Sequence, residues 1–510
     1  MMKLLTKKQS QELDRIAINE MGIPGATLMG KAGKAVANFA REMLSEITDP
    51  RVALFCGKGN NGGDGYKAAL ELHKHGIKTQ VFIIPKADQI TGDAQIYYNQ
   101  CIEENIDVVH SVQAPVEPKF DLIVDSIFGT GFSGDVHSPI SDITSWINQQ
   151  EIPVLAVDIP TGVDAVNGKI AANAVKADHT ITMGYQKVGM QLEPGRQQCG
   201  DIHVVDIGFP EKYSELKGLR WSLSDPVLPK ELLTPPEIDT YKQRQGKVLI
   251  VAGSRGMTGA ATLSSRAALR SGSGLVMTCA PSSLNSIYET NIIEGMTISC
   301  EDNDAGYLSE ENFDQINSHL NWCDCILIGP GLGGAESTVN LVLKIIQNSN
   351  IPVVIDADAL RPIALNLLPI KSLDHRAVIT PHLGEFESVT GISQAKIQSD
   401  FTEFLTKFMR DYRGTLVIKC ATTTTLSGAR AIVNTSGNQG LATGGTGDVL
   451  AGLIAGLIAQ GISSFEAAQL GVYIHGLAAD LVCRKKGFRG LCASDLLDAI
   501  PEVIRTYEIQ

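Results

Sequence analysis

The pattern of hydrophobic and polar positions divides the chain into two stretches in which short apolar runs alternate with amphipathic segments. Residues 5–48 have apolar positions at helical spacing with a break at 22–25, which predicts helices. Runs typical of strands follow at 51–56, 79–85, 122–124, 154–157, 179–183 and 202–207, with a predicted loop at 57–65 and a helix at 66–75. This alternation predicts a largely parallel sheet covered by helices on both faces.

The alternation stops between about 211 and 245, where the sequence is polar and contains several prolines, and it restarts at 247. Strands are then predicted at 247–252, 275–279, within 323–333, and at 352–356, 377–379 and 415–419. A loop is predicted at 253–261 and a helix at 262–271, and three apolar helices finish the chain. We therefore predict two α/β domains, at 1–215 and 246–510, with a linker and lead-in at 216–245.

Glycines and polar residues follow three predicted strands of the first half. These loops read N-N-G-G-D at 60–64, D-S-I-F-G-T-G-F-S-G at 125–134 and D-I-P-T-G-V-D at 158–164. Because the carboxyl ends of parallel strands meet at one edge of the sheet, we predict a binding site there. Asn61, Asp125 and Thr161 offer hard oxygen ligands, which suit an alkali or alkaline-earth cation better than zinc. Turn capping by the same side chains is the alternative.

The second half contains a glycine-rich stretch at 437–448 that leads directly into an apolar run at 449–459. A glycine turn that opens a buried helix presents free N–H groups and predicts an anion site, with Asp448 placed to take a proton. A tight loop entering a core helix is the alternative. Other polar residues stand at predicted strand ends: Asp356, Asp358, His382, Glu385 and Lys419. His382 could cap a helix or bind a ligand, and Lys419 could be an edge charge or face a phosphate.

Composition narrows the classes of function. The chain has 510 residues, 44% hydrophobic and 19% charged, and its net charge of −13 argues against non-specific binding to nucleic acid or an anionic membrane. The 10 cysteines form no C-x-x-C pair, so we expect buried reduced thiols. No signal peptide or membrane span is expected, which predicts a cytoplasmic protein, and we also expect a homo-oligomer. The signatures of serine hydrolases, zincins and Walker-type proteins do not occur in the sequence.

Five motifs of the second half together resemble the NAD(P)H-hydrate dehydratases, which are ribokinase-like: V-A-G-S-R-G-M-T-G-A-A, I-G-P-G-L-G, D-A-D-A-L, T-P-H-L-G-E and N-Q-G-L-A-T-G-G-T-G-D. Three motifs of the first half are similar to those of NAD(P)H-hydrate epimerases: G-N-N-G-G-D-G, D-S-I-F-G-T-G-F-S-G and D-I-P-T-G-V-D. In this order, the two halves resemble the bifunctional NAD(P)H-hydrate repair enzymes over nearly the whole chain. The resemblance implies an N-terminal Rossmann-like three-layer α/β/α sandwich and a C-terminal ribokinase-like α/β domain.

The resemblance also implies a reaction. The substrates would be NADHX and NADPHX, reduced cofactors whose nicotinamide ring has gained water and carries a hydroxyl group. The C-terminal domain would phosphorylate this hydroxyl with ADP or ATP and Mg²⁺ and eliminate phosphate, and it would accept the S hydrate alone. The N-terminal domain would interconvert the R and S hydrates.

Residue roles follow from the same resemblance. The catalytic residues would be Asp158 in the epimerase and Asp448 in the dehydratase. The epimerase substrate would contact Asn60, Asn61, Gly62, Gly63, Asp64, Gly129, Thr130, Gly131, Phe132, Ser133, Gly134, Asp135 and Asp158, and potassium would bind Asn61, Asp125 and Thr161. The dehydratase substrate would contact Ala261, Gly331, His382 and Asp448. The nucleotide would contact Lys419, Cys420, Ala421, Thr422, Thr423, Gly437, Asn438, Gln439, Gly440, Leu441, Ala442, Thr443, Gly444, Gly445, Thr446 and Gly447.

Two positions and one segment depart from the family pattern. Cys420 stands where a glycine is common, the segment 241–247 lacks the usual lead-in, and Thr161 replaces a frequent serine while keeping the hydroxyl. Two alternatives remain open from the sequence. The second domain could be a kinase of a small alcohol or vitamin precursor, and the first could be a non-catalytic binding module.

Overall fold

The computed structural model describes residues 1–84, 86–110, 120–209, 216–364, 367–371 and 373–508. These residues divide into two compact units. The N-terminal unit comprises Lys3–Trp221 with Ser399–Thr402, and the C-terminal unit comprises Met1–Met2, Ser222–Gln398 and Glu403–Gln510. Pro85, which ends a predicted strand, and residues 211–215, where the first domain was predicted to end, lie outside the described residues.

The N-terminal unit is built around a parallel sheet of seven strands. The described strands of the unit are β1 (Lys3–Leu5), β2 (Arg51–Cys56), β3 (Lys78–Ile83), β4 (Asp107–His110), β5 (Leu122–Ser126), β6 (Val154–Val157), β7 (His179–Met183), β8 (Gln186–Lys187) and β9 (Asp201–Val205), and all but β1 and β8 belong to this sheet. The sheet order is β4-β3-β2-β5-β6-β7-β9, and every neighbouring pair is parallel. The short strands β1 and β8 pair with each other.

Helices cover both faces of this sheet. They are α1 (Lys7–Arg15), which continues as a π-helix at Ile16–Glu20, α2 (Gly25–Met43), α3 (Asn60–Lys74), α4 (Asp93–Glu103), α5 (Ile140–Gln149) and α6 (Gly195–Gln198). Alternate residues of β2 face opposite ways: Leu54 packs in the cluster of α2, α3 and α4, whereas Phe55 packs with α5. The Rossmann-like three-layer sandwich is confirmed.

The prediction that residues 57–65 form a loop was wrong beyond the third residue, because α3 begins at Asn60. Glycine is a weak helix former, but here tertiary packing requires it. A β-carbon on Gly62 would lie 1.9 Å from the backbone oxygen of Gly57, and one on Gly65 would lie 2.7 Å from Cys56 Sγ. The sequence pattern also missed β1, β4 and β8, which are short.

The C-terminal unit contains a mixed sheet. At the passage between the units lie β10 (Arg220–Leu223) and α7 (Val227–Leu232), so part of the expected linker is regular structure. The sheet strands are β11 (Lys247–Val251), β12 (Leu275–Pro281), β13 (Met296–Cys300), β14 (Cys325–Ile328), β15 (Val353–Ile355), β16 (Ala377–Ile379), β17 (Thr415–Ile418), β18 (Thr424–Ser427) and β19 (Arg430–Val433). The order is β13-β12-β11-β14-β15-β16-β17-β18-β19, parallel except for β18 and β19, which are antiparallel to their neighbours.

The helices of this unit are α8 (Thr258–Arg270), α9 (Asn285–Asn291), α10 (Phe313–Asn317), α11 (Glu336–Asn348), α12 (Leu368–Lys371), α13 (Leu383–Thr390), α14 (Gln394–Ser399), α15 (Phe401–Asp411), α16 (Thr446–Ala459), α17 (Ser464–Lys486) and α18 (Ala493–Glu508). Helix α8 begins four residues before the predicted start at 262, since the turn 254–257 is shorter than the glycine spacing suggested. The strand β13 and the hairpin β18–β19 were not predicted.

Helix α16 is the centre of the C-terminal core. Its residues from Val449 to Ala459 are all buried, as the apolar run predicted. The two glycines of this run allow close packing on α8: a β-carbon on Gly452 would lie 2.2 Å from the oxygen of Ser264, and one on Gly456 would lie 2.0 Å from Ser271 Oγ. None of the helices in the described part of the chain has the length and apolar character needed to span a membrane.

Candidate active sites

A cavity of about 880 Å³ in the N-terminal unit is lined by the segments that follow β2, β5 and β6. The sequence-predicted residues that line it are Asn60, Asn61, Asp64, Gly129, Thr130, Gly131, Phe132, Ser133, Asp135 and Asp158. Gly62, Gly63 and Gly134 do not line it. The first two pack inside α3, and Gly134 has a φ of +89°. The three segments that follow these strands therefore converge on one cavity.

The side chains of Asn61, Asp125 and Thr161 belong to the same edge of the sheet. Both carboxylate oxygens of Asp125 accept from Thr161, Oδ1 from the hydroxyl at 2.7 Å and Oδ2 from the amide at 2.7 Å. Burial raises the pKa of Asp125 to about 6. The amide nitrogen and oxygen of Asn61 are buried and have no hydrogen-bond partner among the described residues. An orphaned amide oxygen and a buried carboxylate are the donor set that a hard cation would satisfy.

Asp158 is held by two side chains from the next strands. Lys187, which is only 2% exposed, donates to Asp158 Oδ1 and also to Thr182 Oγ1 at 2.6 Å. Thr182 donates to the same carboxylate oxygen at 3.2 Å. Asp158 adopts a φ of +66°, a left-handed conformation that is uncommon for residues other than glycine. Asp158 and Lys187 both line the cavity.

Two of the other carboxyls that line this cavity have raised pKa values. Burial, reinforced by the charge of Asp158, raises the pKa of Asp14 to about 6. The same two causes raise the pKa of Asp64 well above its ordinary range. The ammonium of Lys187 opposes both shifts but does not cancel them. The cavity therefore combines one ion pair with two carboxyls whose pKa values are raised.

In the C-terminal unit, four charged side chains meet at the carboxyl ends of the strands. Lys419 Nζ lies 2.7 Å from Asp356 Oδ1 and 3.8 Å from Glu385 Oε2. Asp448 stands in the first turn of α16. Burial and the charge of Asp356 raise the pKa of Asp448 to about 7, although Lys419 opposes the shift. Asp448 is thus able to accept a proton near neutral pH.

The turn before α16 has the geometry of an anion site. Gly445 precedes the helix with a φ of +90°, and the hydroxyl of Thr446 donates to the backbone oxygens of Leu441 and Thr443 at 2.9 and 3.0 Å. A β-carbon on Gly447 would lie 3.3 Å from Lys419 Nζ, so the lysine ammonium lies next to the start of the helix. The helix N-terminus and the ammonium both favour bound negative charge.

His382 caps α13, as one of its two sequence interpretations proposed. Its Nδ1 accepts from the amides of Gly384 at 3.0 Å and Glu385 at 3.2 Å, and its side chain is 59% exposed. The exposed ring edge leaves room for a ligand, so the two interpretations are compatible. Ala261 is buried in α8, and Gly331, with a φ of +62°, packs against the start of that helix.

The predicted nucleotide-binding residues fall into two groups. Residues 419–423 follow β17, where the Cys420 thiol donates to the oxygen of Thr422 at 3.0 Å. Residues 437–447 connect β19 to α16 and are anchored by Asp480, which accepts from the amide of Gly437 at 3.0 Å. The sequence-predicted residues Gln439, Gly440, Ala442 and Thr443 line a cavity of about 720 Å³ together with residues 486–491.

Sequence reasoning missed Asp14, Lys187, Asp480 and His475. His475 is buried beneath the start of α16, and burial lowers its pKa to about 4. Only Lys187 gave a sequence signal, because it follows a predicted strand by four residues. The other three lie inside helices, where a polar residue does not stand out from its neighbours.

Comparison with solved structures first defines the fold class of this chain. The chain is similar to a ribokinase-like superfamily protein from Enterococcus faecalis, with a TM-score of 0.50 and 24% identity over 58% of this chain and 98% of the other. Residues 248–502 match the family model described as NAD(P)H-hydrate dehydratase, and residues 25–189 match the model described as YjeF-related protein N-terminus. The ribokinase-like assignment of the C-terminal fold is confirmed.

Two relatives then define the family. The bifunctional NAD(P)H-hydrate repair enzyme of Moorella thermoacetica is 36% identical over 99% of this chain and 97% of its own. The enzyme with the same description from Escherichia coli is 32% identical over 96% and 92%. The chain belongs to the family of bifunctional NAD(P)H-hydrate repair enzymes. This confirms the resemblance inferred from the motifs and supports repair over the interpretation as a small-alcohol kinase with a non-catalytic N-terminal module.

Proposed function

We propose that this chain repairs hydrated NADH and NADPH by epimerising the R and S hydrates and dehydrating the S hydrate. The observation that carries the proposal is the pairing of Asp448 with the anion-binding start of α16. An acid that can accept a proton near neutral pH stands where a phosphoryl group would be held. We assign dehydration to the domain at 246–510, epimerisation to the domain at 1–215, and the linker to 216–245.

In the dehydratase, Asp448 accepts the proton of the ring hydroxyl as its oxygen attacks the terminal phosphoryl group of ADP or ATP. The nucleotide leaves with one phosphate fewer, and elimination of phosphate from the ring then restores the double bond. Backbone N–H groups at 444–447 and the ammonium of Lys419 stabilise the charge on the transferring group. Ala261, Gly331 and His382 contact the hydrate.

The nucleotide occupies the two segments at 419–423 and 437–447. Magnesium would be held by the nucleotide phosphates and the carboxylates of Asp356 and Glu385, which are ligands of the type that Mg²⁺ prefers. When bound, Mg²⁺ neutralises phosphate charge. The assay therefore includes both ADP and ATP.

In the epimerase, the hydrate occupies the 880 Å³ cavity, and Asp158 handles protons as the ring hydroxyl leaves and returns. Asn61, Asp125 and Thr161 would hold potassium, since the buried amide of Asn61 otherwise lacks a partner among the described residues. When bound, potassium supplies positive charge next to the substrate loops. Asn60, Asn61, Asp64, residues 129–133 and Asp135 form part of the walls. A cytoplasmic location and a homo-oligomer stay predictions.

The test is an assay on the purified full-length protein with hydrated NADH as a mixture of epimers. ADP or ATP is supplied with Mg²⁺, and recovery of the reduced-nicotinamide absorbance is followed. We expect complete recovery, faster than spontaneous epimerisation allows, and no dehydration by an Asp448→Ala variant. Failure to recover absorbance with either nucleotide would overturn the proposal, and a stable phosphorylated product would indicate a kinase instead.

A further inference from the structure

Asp14 lies on α1, outside the segment 25–189 that matches the N-terminal family model, yet its side chain lines the epimerase cavity. Its surface is exposed to the cavity, and no hydrogen bond or ion pair joins its carboxyl to another residue in the described ranges. The walls of the cavity nevertheless surround it closely enough to raise its pKa to about 6. A carboxyl that faces a substrate cavity without a partner is free to act on the substrate.

The charges of Lys187 and Asp158 influence the protonation of the carboxyls of Asp14 and Asp64. Lys187 donates directly to Asp158, so the charge of that carboxylate is already matched. The charge of Asp158 raises the pKa of both Asp14 and Asp64, and the charge of Asp14 raises the pKa of Asp64 further. The remaining titratable groups that line the cavity are Lys58, Asp93, Asp135 and His137.

Of the two carboxyls with raised pKa values, Asp14 is the more exposed to the cavity. Asp64 is only 9% exposed and is packed within the first turns of α3. Asp14 is exposed, and a bound nicotinamide ring would remove the water from it. This loss of water would favour its protonated form further.

We propose that Asp14 is the proton donor to the ring hydroxyl of the hydrate during epimerisation. The inference rests on the proposed function of the N-terminal unit. The C–O bond breaks as Asp14 gives its proton to the departing oxygen, which leaves as water, and the ring nitrogen lone pair fills the deficit to form a cationic ring. Water then adds to the opposite face, the electron pair returns to nitrogen, and Asp158 takes the proton released by that water. Asp158 then releases this proton to solvent, and solvent returns a proton to Asp14.

The test compares Asp14→Asn with wild type in the full chain, using hydrated NADH as an epimer mixture with ADP or ATP and Mg²⁺. Conversion of the R hydrate reports epimerisation, and dehydration of the S hydrate in the same tube reports an intact C-terminal unit. We expect Asp14→Asn to slow R conversion about 100-fold and to leave S dehydration unchanged. Glu12→Gln, which removes a carboxyl from the same helix outside the cavity lining, should change neither rate.

A pH profile separates a proton donor from a structural role. Because the protonated carboxyl is the active form, wild-type epimerisation should fall as pH rises above about 6, and this fall should be absent from the residual rate of Asp14→Asn. If Asp14→Asn destabilises the unit, Asp14→Glu is the variant to test. Glutamate keeps a carboxyl that can donate a proton, so its epimerisation rate should still fall as pH rises. An unchanged epimerisation rate or an unchanged pH profile in Asp14→Asn overturns the inference. The inference is also overturned if the fall in rate with rising pH disappears in Asp64→Asn instead. Wild type that epimerises no faster than the spontaneous reaction would overturn the proposed function itself.

Discussion

Replacing Asp448 by asparagine should abolish dehydration and at the same time stabilise the folded protein. Asparagine keeps the shape of the side chain but cannot accept a proton, so we expect a loss of 10²-fold or more in dehydration, on the order of a general-base contribution. The stability gain has a different origin. Burial and the charge of Asp356 disfavour the carboxylate of Asp448 in the folded state and raise its pKa to about 7. Asparagine carries no charge, so the folded Asp448→Asn protein lacks this unfavourable electrostatic free energy.

The size of the gain depends on pH in a defined way. An aspartate in an unfolded chain titrates near about pH 4, so the wild-type protein loses stability as pH rises from about 4 to about 7 and loses little more above that. A difference of about three pH units at about 1.4 kcal/mol each gives at most about 4 kcal/mol. Asp448 is half-buried, and water screens part of the cost, so we expect Asp448→Asn to be about 1 to 3 kcal/mol more stable at pH 8.

Thermal unfolding of wild type and variant at pH 4, 6 and 8 measures this gain. At pH 8 the midpoint of the C-terminal unit should rise by roughly 2 to 6 °C, and at pH 4 the two proteins should nearly coincide. Asp498→Asn, at a side chain that is 75% exposed, is the control and should show no pH-dependent gain. An Asp448→Asn protein no more stable than wild type at pH 8, or a difference that does not vary with pH, would refute the view that the fold holds this carboxylate under electrostatic strain.

Three further predictions test other parts of the structure. Thr161→Ser should keep epimerisation and any potassium dependence, whereas Thr161→Val should lose both, because the hydroxyl donates to the buried carboxylate of Asp125 at 2.7 Å. Epimerisation rates measured in potassium and in sodium salts test this difference between the two variants. Gly445→Ala should lower the free energy of unfolding by about 1 to 3 kcal/mol, since φ is +90° and a β-carbon would lie 2.7 Å from a methyl group of Leu263. The control is Gly444→Ala, whose β-carbon would meet no atom within 4 Å, and it should lower that free energy by less than about 1 kcal/mol. Urea unfolding measures both values. Burial raises the pKa of Cys420 to about 11, so an alkylating reagent at pH 8 should label the exposed Cys492 well before Cys420, as mass spectrometry would show.

The sequence predicted the sheet-edge loops well, because apolar strands and the glycines that end them are local signals. The segments after β2, β5 and β6 meet in one cavity, and the glycine turn before α16 opens a buried helix. The start of α3 was not predictable in this way. Its glycines read as a loop, and only the neighbouring backbone of Gly57 and the side chain of Cys56 show why a helix needs them there.

The ion pairs of both sites could not be predicted from the sequence, because their members lie far apart along the chain. Lys187 lies 29 residues from Asp158, and Lys419 lies 63 residues from Asp356, so no spacing rule connects either pair. Asp14 comes from a helix whose other residues give no functional signal. Partners of this kind become visible when the fold brings separate strand ends and helices together, because ionic attraction depends on distance in space and not along the chain.

The two sites share one electrostatic arrangement, and it predicts opposite pH dependences. In each, a lysine is hydrogen-bonded to one aspartate, and a second aspartate nearby has a pKa close to neutral: Asp14 at about 6 and Asp448 at about 7. Asp14 works as a donor and is active below its pKa, whereas Asp448 works as an acceptor and is active above its own. From pH 6 to pH 8 the ionised fraction of Asp448 rises about tenfold, while the protonated fraction of Asp14 falls by a larger factor. Dehydration should therefore limit repair of an epimer mixture at pH 6, and epimerisation should limit it at pH 8, where the R hydrate accumulates. Chromatographic separation of the epimers during turnover, corrected for the spontaneous rate, measures this, and accumulation of the R hydrate at pH 6 instead of pH 8 would contradict the assignment of donor and acceptor.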